Sequence, residues 1–183
     1  MAALVLFSCA RGGGQAEEPA STTEEPAAGL DAVFTDARHG YRISYPAEWS
    51  LVDHSGSGRL IRADISRGRT AGLQVRVQAG SAGALEEFAN RYCRGFREEM
   101  LSHWGGTMEE LERGLRLIGA NRGFRVSFHA RRRQGDQWLL VNYLVSRGGE
   151  VLVFQCGARF EERRHYEDLF ERIVASLQFT GPG

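Results

Sequence analysis

Apolar and polar residues alternate along this chain at two different periods, and each change of period marks a new element. In GYRISYPAEWSLV, Tyr41, Ile43 and Tyr45 alternate with Arg42 and Ser44, the two-residue repeat of a half-buried strand. Pro46 ends that run because it has no N–H to give to a ladder, and Trp49 and Leu51 resume apolar burial beyond it. SGSG at 55–58 is turn sequence. Two further strands are predicted near residues 60–66 and 73–78. In the second, Leu73, Val75 and Val77 share one face while Gln74, Arg76 and Gln78 share the other.

The repeat then lengthens. In SAGALEEFANRYCRGFREEMLSHW, residues Leu85, Phe88, Ala89, Tyr92, Phe96, Met100 and Trp104 make one helical stripe opposite Glu86, Glu87, Arg91 and Glu98. Ser81 is placed to cap this helix, Gly105-Gly106 to stop it, and Gly95 weakens its interior slightly. From Leu111 the two-residue repeat returns. LRLIG leads to GFRVSFHARR, where Phe124, Val126 and Phe128 alternate with Arg125, Ser127 and His129.

The turns QGDQ and RGGE introduce WLLVNYLV and VLVFQC, which are apolar on both faces. Leu139, Val141, Tyr143 and Val145 point one way; Trp138, Leu140 and Leu144 point the other. Such strands must be covered on both sides. A last helix near residues 161–176, with Tyr166, Leu169, Phe170, Ile173 and Leu177 in its stripe, supplies a second cover. The predicted class is α+β: one antiparallel sheet of six or seven strands between helices, an α/β/α sandwich. The hairpin connections require the antiparallel pairing.

The chain opens MAALVLFSCARGGGQAEEPASTTEEPAAG. Ala2 to Ser8 is apolar or small and meets Cys9, which resembles a bacterial lipoprotein signal: Leu6, Ser8 and Cys9 fit its lipobox, while Phe7 is bulkier than usual there. The run is short and lacks a basic leader, which leaves room for signal residues upstream of Met1. Residues 10–30 hold Gly, Glu, Pro, Ser and Thr with few bulky apolar side chains, too few to offset the entropy of ordering. The expected organisation is a signal segment over 1–9, a disordered tether over 10–30 and one domain over 31–180. A flexible chain of roughly 20 residues would hold the domain about 25 Å from the lipid on Cys9. Acyl chains there would anchor it to a membrane, each buried CH₂ contributing about 0.8 kcal/mol.

Composition adds mainly exclusions. The 183 residues are 42% hydrophobic and 10% aromatic, enough for one core, and no run reaches the length of a spanning helix. The formal net charge is zero, so charge makes no case for nucleic acid. All 23 basic residues are Arg. Without Lys there is no P-loop of the GxxxxGK type, no Schiff base and no Ser-Lys dyad.

Candidate chemistry is sparse. His39, His54, His103, His129 and His165 form no HExxH, and there is no CxxC. Asp36, His39, Asp53 and His54 bracket the first strand and are the weak candidates for a calcium or manganese site. SGSG lacks nucleophile-elbow spacing, so a hydrolase would need an unrecognised site, and no catalytic residue is assigned. Arg131-Arg132-Arg133 at a hairpin tip is either solvated or faces anionic headgroups. Cys93 and Cys156 would either oxidise to a disulfide after export or remain two separately buried thiols.

Three passages carry a family resemblance: FTDARHGYRISYPAEWSLV, LRLIGANRGFRVSF and GEVLVFQCGARFEERRHYEDLFERIVASLQF. Tyr41, Tyr45, Pro46 and Trp49 at the start, with Ile173, Ser176, Leu177 and Phe179 at the close, resemble the PsbP-like group of exported domains, which includes bacterial lipoproteins of the DcrB and LpqN kind. The resemblance covers about residues 34–180. It implies a layered α/β/α fold that works as a binding or assembly module and not as an enzyme. The expected role is a non-catalytic module at the cell envelope, with an unknown envelope protein as partner and no cofactor; the alternative keeps the fold and adds a small-molecule or divalent-ion site. Some photosynthetic relatives bind calcium or manganese, and a fold relative binds the GTPase Ran; none of their metal ligands maps onto a residue of this chain.

Overall fold

The computed structural model of the chain describes residues 29–80 and 85–180. Cys9, the tether as far as residue 28 and the Ser81 cap lie outside the described residues. In chain order the elements are β1 (Ala32–Asp36), β2 (Tyr41–Tyr45), β3 (Ser50–Asp53), β4 (Ile61–Arg67), β5 (Ala71–Ala79), α1 (Leu85–Trp104), β6 (Thr107–Ile118), β7 (Asn121–Arg131), β8 (Gln137–Arg147) and β9 (Glu150–Arg159). A 3₁₀ turn (Phe160–Glu162), α2 (Arg163–Ala175) and β10 (Gln178–Phe179) follow.

Seven strands form an antiparallel sheet in the order β3-β4-β5-β9-β8-β7-β6. Strand β9 lies at its centre, between β5 and β8, and both of its faces are buried. On one face α1 packs against β6, β7 and β8. That layer holds Ala89, Cys93, Phe96 and Met100 from the helix with Phe124, Val126, Phe128, Trp138 and Leu140 from the sheet. On the other face the stripe predicted for the last helix is the buried one: Tyr166, Leu169, Phe170 and Ile173 pack on Leu139, Val141, Tyr143 and Phe154. The division of β8 between the two faces is the one its alternation predicts.

The first strand does not join the large sheet. Strand β2 pairs with β1 and β10 in a separate three-stranded sheet, from which Phe34, Tyr41, Ile43 and Tyr45 enter the α2-side core. Two elements are needed on that side because one helix, about 10 Å across, cannot cover a seven-stranded sheet about 29 Å wide.

Cys93 and Cys156 are both free. Cys93 sits in the α1-side cluster and Cys156 in the α2-side cluster, with the sheet between them, so the disulfide alternative is not realised. Burial pushes the Cys93 thiol from 9.0 up to about 12 and raises Cys156 further. It also raises the Tyr41 and Tyr143 phenols above their ordinary value of 10.0. Each of these groups keeps its proton in the fold at a pH where the unfolded chain loses it. The stability they contribute is therefore complete below about pH 9 and is lost as pH rises through about 12. In a Cys9→Ser chain, the melting temperature should fall steadily across that window. Neither thiol should react with Ellman's reagent at pH 8 until the protein is denatured. Stoichiometric labelling of the native protein would contradict the burial of both groups.

Candidate functional site

Among the described residues the α1 face of the sheet has one covering helix. Because α1 lies over β6, β7 and β8, the sheet beside it stays open over β4 and β5. A cavity of about 410 Å³ occupies this flank, within the size range of small-molecule sites. Phe96, Met100 and Trp104 of α1 wall one side, with Trp138 and Leu140 of β8 beyond. Trp104 and Trp138 lie 6.1 Å apart, centroid to centroid.

The floor is polar and follows from strand register. Asp64 pairs with Gln74, Gln74 with Gln155, and Gln155 with Asn142, so four polar side chains run in a row across β4, β5, β9 and β8. Asp64 Oδ1 accepts a hydrogen bond from Gln74 Nε2 at 2.7 Å, and Asp64 Oδ2 lies 3.0 Å from His54 Nε2. The row thus runs from His54 at the rim to Asn142 in the core, whose side chain is 1% exposed. Neither amide atom of Asn142 has a hydrogen-bond partner among the described residues, an arrangement that costs about 1–3 kcal/mol.

A second cavity, of about 520 Å³, adjoins the first and shares Phe96 and Gln155 with it. Arg76 of β5 lines it together with Tyr92 and Glu99 of α1. Arg76 is 5% exposed, and its Nη1 donates to Gln155 Oε1 at 3.3 Å. Its Nε, the Tyr92 hydroxyl and Gln155 Nε2 are buried without partners among the described residues. Burial raises the Tyr92 phenol, and the neighbouring Arg76 charge draws it partly back.

The proposed ligands of the divalent-ion site do not come together. Asp36 is buried against Arg62, its Oδ2 accepting from Arg62 Nε at 2.7 Å. His39 Nδ1 lies 3.0 Å from Glu150, whereas His54 Nε2 lies 3.0 Å from a different carboxylate, Asp64. Asp53 is exposed, and hydrogen bonds from Ser55 hold its carboxyl below the usual range. Among the described residues no three His, Cys, Asp or Glu are grouped to hold a metal. The ring of His54 is hydrogen-bonded to Asp64, and no hydroxyl or thiol among the described residues is hydrogen-bonded to that ring.

His129 is covered: it stacks on Phe160 with 3.7 Å between centroids and lies 2.8 Å from Gln137 Oε1. Arg132 of the hairpin tip lies over the Trp104 ring at 4.6 Å and pairs with Asp136 at 3.7 Å, so it braces the end of the apolar cavity.

Sequence reasoning missed Asp64, Gln74, Arg76, Asn142 and Gln155 as a group. The signal was present but divided. Asn142 and Gln155 are the polar breaks in WLLVNYLV and VLVFQC, and Gln74 and Arg76 belong to the polar face of β5. Only the strand pairing aligns them.

No family model matches the sequence, and no curated protein resembles it in sequence. Solved structures share its fold. Cyanobacterial PsbP (CyanoP) from Synechocystis sp. PCC 6803 superposes with a TM-score of 0.65 at 14% identity, over 81% of this chain and 91% of that one. The Ran-binding protein Mog1p of Saccharomyces cerevisiae gives 0.57 at 9% identity, over 81% and 95%. LpqN of Mycobacterium tuberculosis, involved in cell envelope biogenesis, gives 0.51 at 13% identity, over 77% and 83%. The fold is therefore PsbP-like α+β, as the opening and closing sequence patterns imply. At these identities the likeness is one of fold. No helix among the described residues is long and apolar enough to cross a membrane.

Proposed function

We propose that this chain is a lipid-anchored protein of a bacterial cell envelope, attached through Cys9 and tethered by residues 10–30, whose PsbP-like domain over 31–180 is a non-catalytic module that binds a small molecule. The observation that carries the binding role is the cavity beside α1. Its apolar walls and polar floor give a ligand both burial and orientation. At its rim His54 is hydrogen-bonded to Asp64, and no hydroxyl or thiol among the described residues is hydrogen-bonded to that ring. The same fold in a Ran-binding protein and in a protein of envelope biogenesis fits a module that works by contact. The partners on this reading are the membrane, through the lipid, and an envelope protein that presents or receives the ligand.

Two measurements on one preparation test it. The native chain should fractionate with membranes and Cys9→Ser should be soluble; a Cys9→Ser protein still in the membrane fraction would remove the anchor. The full chain should also take up the neutral dye Nile red with increased emission, and Met100→Trp, which fills the cavity, should suppress that uptake. Uptake unchanged by Met100→Trp, or no uptake at all, would remove the binding role.

A further inference from the structure

Among the described residues three arginines are buried, and two of them are neutralised. Arg62 has Asp36 at 2.7 Å. Arg125 has Glu112 at 2.5 Å, Glu167 at 2.8 Å and Glu171 at 3.6 Å. Arg76 has no carboxylate within 4 Å among the described residues; its Nη1 donates to the neutral Gln155 amide, and the neutral Tyr92 phenol lies beside it. A guanidinium stays charged at every physiological pH, and a buried charge without a counter-charge is unfavourable. Arg76 lines a cavity, whereas neither neutralised arginine lines either of the two cavities described above.

The unfilled groups around Arg76 can all donate. Arg76 Nε and Gln155 Nε2 can only donate, and the buried Tyr92 hydroxyl beside Arg76 can turn its proton outward as a third donor. Such a set fits an oxygen anion. Phe96 and Gln155 line both cavities, so an anion held here continues directly into the apolar space beside Trp104 and Trp138.

We propose that the cleft binds an apolar monocarboxylate, its head on Arg76, Tyr92 and Gln155 and its body between Phe96, Met100, Trp104 and Trp138. This deepens the binding-module reading and rests on it. The head is assigned one charge because Arg76 is the buried guanidinium here without a carboxylate; Arg91, which also lines this cavity, has interactions of its own. Glu99, which lines the same cavity without pairing with Arg76, disfavours a dianionic head such as a phosphate monoester. The apolar body requires no charge along its length, since its surroundings are aromatic and aliphatic.

The test is a fluorescence titration of the full chain, with Trp104 and Trp138 reporting entry of ligand. Decanoate, below its micellar concentration, should bind at least about tenfold more tightly than 1-decanol. Arg76→Met should erase that difference while leaving decanol binding in place, and Arg76→Gln should do the same if the methionine variant does not fold. The ligand-free Arg76→Met protein should melt no lower than the native one, since the substitution removes an uncompensated charge. Glu99→Gln should tighten decanoate. Equal affinity for decanoate and decanol, a preference that survives loss of Arg76, tighter binding of decyl phosphate than of decanoate, or no response to decanoate would each overturn the proposal. Any of these with Nile red uptake intact would leave the binding module standing without its anionic ligand.

Discussion

Asp36→Ala should destabilise the fold by about 3–5 kcal/mol, because it leaves Arg62 charged and stranded in the core. Asp36 is 0% exposed and Arg62 1%. The carboxylate joins three segments. Its Oδ1 accepts from the backbone N–H groups of Arg38 and His39 in the turn after β1, and its Oδ2 accepts from Arg62 Nε on β4. Arg62 also donates to the carbonyls of Arg59 and Ser55, so every part of the guanidinium is engaged. Removing the carboxylate spares those two contacts but leaves the charge without its counter-ion. Total stabilities of small domains are about 5–15 kcal/mol, so the variant should lose a large part of its margin.

A double-variant cycle separates the pair's net value from the cost of stranding one partner. Asp36→Leu with Arg62→Met should be much closer to the native protein than Asp36→Ala alone, since a buried ion pair replaced by apolar groups is often neutral. Urea unfolding followed by circular dichroism measures all of these proteins. A loss under about 1 kcal/mol for Asp36→Ala would show that the pair is not closed from water.

The second large effect is expected at Phe154. It lies in the middle of the central strand, is 0% exposed, and stands in register with Val75 on one side and Tyr143 on the other. Phe154→Ala should cost about 3–5 kcal/mol, combining lost burial with a cavity that cannot collapse. Collapse is prevented because β5 and β8 are held at fixed spacing by their ladders, while α2 is seated on several neighbouring side chains. Leu117→Ala on β6 is the control. That leucine is 74% exposed, and its truncation should change stability by no more than about 0.5 kcal/mol. Denaturant midpoints at constant slope decide the matter, and comparable losses at the two sites would mean that β9 is not the centre of the core.

Much of this architecture is legible in the local alternation of side chains. WLLVNYLV divides its residues between two faces at a period of two, and as a strand it buries both sets. The stripes of α1 and α2 are equally direct, since a helix with one apolar side has one way to sit on a sheet. The three-stranded sheet was less visible because β10 is two residues long and β1 shows only weak alternation.

The candidate site belongs to the other class of fact. Asp64, Gln74, Gln155 and Asn142 come from four strands spread over most of the domain, and each alone reads as an ordinary polar residue. The fate of Arg62 was likewise hidden. A register shift between Ile61 and Ala63 interrupts the alternation of β4, and Arg62 at that irregularity meets Asp36 in the core.

Local periodicity dictates which face each side chain takes, because that depends only on backbone geometry over a few residues. Which strands become neighbours, where a single helix runs out of width, and which of three buried arginines lacks a counter-charge depend on contacts between residues far apart in the chain. Such contacts are set by packing the whole domain, and they exist only once it has closed.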